Sequence, residues 1–218
     1  KGIASCFVHF SVSHISVFWI CVICGSKLRF KTCSGLFLMI KLIINDIAAK
    51  AEWLYGAGGL KNWLKACLTD GTMAMIAYRK MQWAQKWRLA PLAMLCNKFN
   101  TVFGQCIIGR HAQFGPRFVL VHSQGVVINS SVRGGSDVKI EHQVTIGAEK
   151  GEAPVLGDRV FVGAGAKIVG AVTIGDDAKI GANAVVTKDI PAGATAVGIP
   201  ARVIKIYGES TNCTNKHE

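Results

Sequence analysis

The chain has 218 residues, half of them hydrophobic, which suits one domain with an appendage and a sizeable core. Its 25 Lys and Arg against 13 Asp and Glu leave a net charge of +12. Those cations form no basic run and have no interleaved aromatics, so nucleic-acid binding is not expected, whereas an anionic small ligand such as a phosphorylated cofactor suits the charge.

The chain opens with Ile3 to Cys24, a run without a charged side chain, followed by Lys27, Arg29 and Lys31. Its length would span a bilayer, and the positive flank would leave the following domain cytoplasmic. Ser and His stud the run, however, and Met39 precedes a domain-like start. Residues 1–38 therefore read as an upstream extension rather than an anchor, and no small-residue cleavage site marks a signal peptide. Membrane contact is expected only if residues 3–24 belong to the native protein. Half of the eight cysteines lie in this leader, and Cys21-Val-Ile-Cys24 has no second pair. Buried thiols in a reducing, cytoplasmic compartment fit better than zinc, redox chemistry or a disulfide scaffold.

Residues 39–103 carry helical periodicity. Ile40, Ile43, Ile44, Ile47, Ala48, Ala51 and Leu54 form one apolar stripe, and Gly56 to Gly59 break it. Leu60 to Leu68 reads as a short helix, Thr69-Asp70-Gly71 as a turn, and Met73 to Trp87 as a longer helix. Pro91 opens a last helix through Leu95 and Phe99. Its Trp and Met residues suit core or subunit contacts, and so small a block must pack on something else.

From residue 104 to 206 the period changes to six. Units such as Ile108-Gly109-Arg-His-Ala112, Ile174-Gly175-Asp-Asp-Ala178 and Ile180-Gly181-Ala-Asn-Ala184 begin with an aliphatic residue and place a small residue four positions later. Neither a helix nor a simple strand has this period. It marks a parallel β-helix, in which the first residue of each unit points inward and stacks on its equivalent one coil away. The fold class is thus mainly β, a β-helix of hexapeptide repeats preceded by a small α-helical domain. Residues 207–218 read as a frayed polar tail.

The frame slips twice. Two extra residues fall at His122-Ser123-Gln124-Gly125, and four in the loop Gly147 to Pro154. Flat repeat faces carry little information, so interruptions are where a site is expected. His9 and His14 lie in the leader, His217 lies in the tail, and His111 reads as a surface residue. His142 occupies an outward position. His122 sits where the frame breaks, and an imidazole there can take a proton from a hydroxyl near neutral pH.

The helical block, Ala77-Tyr78-Arg79, Val121-His122-Ser-Gln-Gly125-Val-Val-Ile128-Asn129, Val144-Thr145-Ile146-Gly147, Gly163-Ala164-Gly165-Ala166-Lys167 and Gly198-Ile-Pro200-Ala-Arg202 together resemble serine acetyltransferase and its close relatives, over roughly residues 60–205. The resemblance implies a left-handed β-helix, acetyl-CoA as co-substrate without a metal, and homotrimers, singly or stacked in pairs, with sites between subunits. It implies that His122 is the general base. Thr145, Gly147, Ala148, Gly163, Ala164, Gly165, Ala166, Lys167, Gly181, Ala182 and Arg202 would bind the cofactor, with backbone N–H groups near Gly147 and Ala148 holding the oxyanion.

Departures from the family pattern move the expected acceptor. Val121 stands where serine-specific members have Asp, and Ile107 where they have the Asp that orients the base. Glu152-Ala153-Pro154 replaces their Arg-His-Pro grip on the serine carboxylate. The sequence therefore favours a sugar or polysaccharide-precursor hydroxyl, bound by Ser123, Gln124, Asn129 and His142. True serine O-acetylation is the alternative, and a catalytically silent β-helix scaffold is a third reading.

Overall fold

The structure, a computed structural model, describes residues 27–56 and 59–206, with side chains from residue 35 onward. The apolar run Ile3–Cys24, its cysteine pair, His9, His14 and the tail lie outside the described residues. Compactness separates Lys1–Leu38 from Met39–Glu218, and the β-helix belongs to the second unit. Four described helices come first: α1 (Lys27–Tyr55), α2 (Leu60–Cys67), α3 (Thr72–Lys86) and α4 (Ala90–Val102). α1 thus begins upstream of Met39, because nothing in residues 27–39 breaks a helix: the segment has no proline, and its one glycine, Gly35, is tolerated. No described helix is long and apolar enough to cross a membrane.

The hexapeptides form the left-handed parallel β-helix expected of them. Its three faces are stacks of two- to five-residue strands. The first face holds Ile107–Ile108, Val127–Ile128, Thr145–Gly147, Lys167–Val169 and Val185–Val186. The second holds Gln113–Phe114, Arg133–Gly134, Val155–Leu156 and Thr173–Ile174. The third holds Val119–Leu120, Lys139–Ile140, Phe161–Val162, Lys179–Ile180 and Ala194–Val197, closed by antiparallel Arg202–Ile206.

Register follows the repeat. Ile108 pairs with Ile128, Ile128 with Ile146, Ile146 with Ile168, and Ile168 with Val186, and all five are buried. Each such aliphatic side chain is worth about 1.5–3 kcal/mol of apolar burial, so the inward rows outweigh any single surface contact. One inward position is empty by necessity. Gly134 sits over Phe114, whose ring would lie 2.3 Å from a Cβ there. The aromatic ring fills two layers and stacks on Phe118 at 4.4 Å.

A solenoid's first coil has an unpaired edge, which must be covered. Here side chains of α3 and α4 satisfy it. Tyr78 Oη donates to the Ala112 carbonyl and accepts from the Phe114 amide, both at 3.1 Å. Asn97 Nδ2 donates to the Ile108 carbonyl at 2.8 Å, and Arg79 donates to the carbonyls of Phe114 and Gly115. Met75, Tyr78 and Met81 plug the open end among Ile108, Phe118 and Leu120. The C-terminal half of α1 lies on the third face, where Ala49 is buried with Val119 and Val121. Asp46 there accepts from the Phe118 amide at 3.0 Å and pairs with Arg79 at 2.6 Å. The helical block is therefore the cap and side wall of the β-helix, and it brings the α2–α3 turn to the first frame slip.

Candidate active site

His122 stands at the corner between the third and first faces, about half exposed, with its ring edge-on to His142 one coil later at a centroid distance of 5.9 Å. The corners stack by backbone hydrogen bonds: Gly125 N to Gln105 O, Gln143 N to Gln124 O, Gly165 N to His142 O, and Asn183 N to Ala164 O, all 2.8–2.9 Å. His122, Gln124, His142, Gly163, Ala164, Gly165, Gly181 and Ala182 thus share one vertical column. Gly165 fills the left-handed turn position that Gln143 and Asn183 occupy one coil below and above. Its φ is +72°, and a Cβ would meet Asn183 Oδ1 at 2.1 Å. Its backbone is consequently bare on the column. Lys167 Nζ reaches across to the Gln143 carbonyl at 2.5 Å. The side chain of Ala166 points into the core, so it can offer only main chain. Arg202 lies on the closing antiparallel strand, exposed.

His122 has a carboxylate beside it. Asp70 Oδ2 lies 3.3 Å from His122 Nδ1, and it comes from the Thr69-Asp70-Gly71 turn of the helical block. The turn is held by Thr69 and Thr72 hydroxyls, both donating to the Ala66 carbonyl at 2.7 Å. Asp70 Oδ1 accepts from the Gly71 amide at 2.8 Å. A carboxylate on Nδ1 keeps that nitrogen protonated and leaves the Nε2 lone pair for a substrate proton. Ile107, at the place of the family's orienting Asp, is an exposed strand residue on the first face, and Asp70 lies 37 residues upstream of it in the turn between α2 and α3. Spacing within the repeats carried no trace of this, because the partner is not in the repeats.

Two expected acceptor ligands do other work. Ser123 is buried, and its Oγ donates to Asp70 Oδ1 at 3.4 Å, so it braces the carboxylate. Asn129 sits at the opposite corner of the first face, where its Oδ1 accepts from the Ser131 amide at 2.9 Å. Gly147 and Ala148 begin the second insertion at that same far corner, one coil above Asn129, whose amide donates to the Ile146 carbonyl. Thr145 lies between, on the first face beside Val127 and Lys167. Within one chain, the proposed base and the proposed oxyanion amides are thus on opposite edges of one face.

Cys106 is buried below this corner, and burial pushes its thiol up to about 12, with Asp70 adding to the effect. Cys67 and Cys96 are likewise free thiols raised by desolvation.

Residues 153–188 match the bacterial transferase hexapeptide (six repeats) family. The chain is 41% identical to a serine acetyltransferase of Helicobacter pylori over 146 residues, covering 65% of this chain and 85% of that one. Among solved structures, a serine acetyltransferase in complex with CoA is similar with a TM-score of 0.69 and 32% identity, over 76% of this chain and 69% of that one. Soybean serine acetyltransferase complexed with serine is similar with a TM-score of 0.69 and 31% identity, over the same shares.

Proposed function

The chain belongs to the serine acetyltransferase family, and from that premise we propose that it moves an acetyl group from acetyl-CoA to the hydroxyl of serine, with His122 as general base. The observation that carries the reading is the Asp70–His122 pair at the foot of a column of bare backbone. In the reaction, His122 Nε2 takes the hydroxyl proton as the acceptor oxygen attacks the thioester carbonyl. The tetrahedral intermediate then collapses, breaking the C–S bond, and the imidazolium returns its proton to the departing CoA sulfur. Backbone N–H groups at Gly147 and Ala148 hold the developing oxyanion, a contribution of about 3 kcal/mol. The column from His142 to Ala182 receives the extended cofactor, with Lys167 and Arg202 as cations for its phosphates.

Because His122 and the Gly147–Ala148 amides lie on opposite edges of the first face, the complete site needs a second copy of the chain. A cyclic trimer, first face toward its neighbour, would bring one chain's His122 corner against the next chain's insertion loop. In such an assembly the half-exposed Asp70 also offers the negative charge that a serine ammonium requires. Asp70 thus supplies a carboxylate at a corner where Val121 and Ile107 stand in place of the family's two Asp residues.

One observation keeps a sugar hydroxyl as the second reading. The insertion loop carries Lys150 between Glu149 and Glu152, in a hairpin closed by reciprocal Glu149–Glu152 backbone bonds of 2.8 and 3.0 Å. That is a weaker grip on a carboxylate than a guanidinium fork. An acceptor screen decides between them, with free-thiol release from acetyl-CoA measured beside L-serine, nucleotide-linked sugars and oligosaccharides. Serine is expected to dominate the turnover. Turnover only with sugars would transfer the assignment to saccharide acetylation, and no turnover with any hydroxyl would leave the scaffold reading.

Asp70→Asn is expected to lower kcat about 30-fold with little change in the KM for acetyl-CoA. That is less than a buried triad carboxylate contributes, because this contact is longer and half exposed. An unchanged kcat would remove Asp70 from the mechanism.

A further inference from the structure

Beneath the Asp70 turn lies a buried cation that the transfer scheme does not use. Lys50, on α1, is fully buried, and its Nζ donates to the Asp70 carbonyl. An ammonium out of water is costly unless carboxylates and hydrogen bonds compensate it. The charged groups that act on it are Asp70, from the turn, and Glu141, from the corner after Lys139–Ile140. Asp46, one helical turn earlier on α1, is committed to Arg79.

Each of those two carboxylates also faces a histidine. Asp70 lies 3.3 Å from His122, and Glu141 Oε2 lies 3.8 Å from His142 Nδ1. A single cation therefore acts on the carboxylates of both stacked histidines. Its own anchorage is firm, since Ala49 beside it is buried with Val119 and Val121. Space there is tight as well, for a Cβ on Gly71 would meet Lys50 Nζ at 3.2 Å and the Leu120 carbonyl at 2.7 Å.

We propose that Lys50 is a positioning residue, which ties the Asp70 turn to α1 and so keeps the Asp70 carboxylate on His122. The proposal rests on the acetyl-transfer reading with His122 as base. Burial pulls the Lys50 ammonium down to about 8, against the opposing pull of Asp70 and Glu141. The charge that holds the turn is therefore present below that pH and lost above it, so turnover declines along an alkaline limb near pH 8.

The test uses the full chain. Lys50→Met is expected to lower kcat about 30-fold, as a slightly misplaced base does, with the KM for acetyl-CoA little changed and the alkaline limb gone. Lysine ¹³Cε titration of the unliganded protein gives a readout without turnover. The Lys50 signal should titrate near pH 8 in the wild type and lower in Asp70→Asn or Glu141→Gln, since each carboxylate favours the charged form. Lys50 titrating like a surface lysine, or a Lys50→Met enzyme with wild-type kcat and limb, overturns the proposal. If the wild type acetylates no hydroxyl, the transfer reading fails by itself, and the ¹³C titration still decides whether Lys50 is coupled to both carboxylates.

Discussion

Replacing His122 by alanine is expected to reduce kcat/KM for acetyl transfer by about 1,000-fold while leaving the fold and CoA binding intact. General-base catalysis by a positioned imidazole contributes about 10²–10⁴ in rate. Among the described residues His142 is the only other imidazole near His122, but its Nδ1 is 3.8 Å from Glu141, beyond a hydrogen bond, and it lacks the Asp70 contact. Half exposure of the His122 side chain makes the substitution benign for packing, so an unchanged melting temperature should accompany the lost turnover. Steady-state kinetics with saturating acetyl-CoA measures it. An alanine variant with wild-type turnover would show that the frame slip at residues 122–125 is not where the proton is taken.

Stability should depend most on the Arg79–Asp46 pair. Both side chains are buried, with a two-bond contact at 2.6 and 3.1 Å. Burial raises the Asp46 carboxyl, while Arg79 and the Phe118 amide pull it back. Arg79 also donates to the Phe114 and Gly115 carbonyls, at 2.9 and 2.6 Å, and lies over the Tyr78 ring. Arg79→Met leaves a buried carboxylate without its partner and uncovers the edge of the first coil. The expected loss is about 3–5 kcal/mol, which in a domain of this size corresponds to roughly 10 °C in melting temperature. Asp46→Asn should cost less, since an amide oxygen can still accept from Phe118 and the unpaired Arg79 keeps its carbonyl partners. The double variant Asp46→Leu with Arg79→Met should recover part of the loss. Thermal unfolding of the four proteins tests this, and equal stability throughout would remove the pair from any structural role.

The first-position rows were legible because a stacked coil demands the same residue at the same place in every turn. Ile108, Ile128, Ile146 and Ile168 fall in register as the six-residue frame requires. Gly134 broke that frame silently, since its space is filled from another coil by Phe114. The interruptions were equally visible, and one of them does carry His122. Ser123 and Asn129 read as acceptor ligands in the sequence because a polar residue near a break looks alike whether it faces solvent, a carboxylate or its own turn. Only packing assigned the Ser123 hydroxyl to Asp70 and the Asn129 side chain to Ser131.

By itself the sequence determined the β-helix, its two interruptions and the histidine at the first, because repeats within one coil stack are local information written many times. The Asp70 carboxylate beside His122 and the buried Lys50 beneath it were decided by tertiary structure alone. They come from a helix and a turn whose place against the corner is set by Ala49 on Val119, Asp46 on Arg79 and Tyr78 on the first coil's edge. Contacts between segments of different period leave no shared spacing in the chain, and so the residues packed around His122 could be found only where the two segments meet.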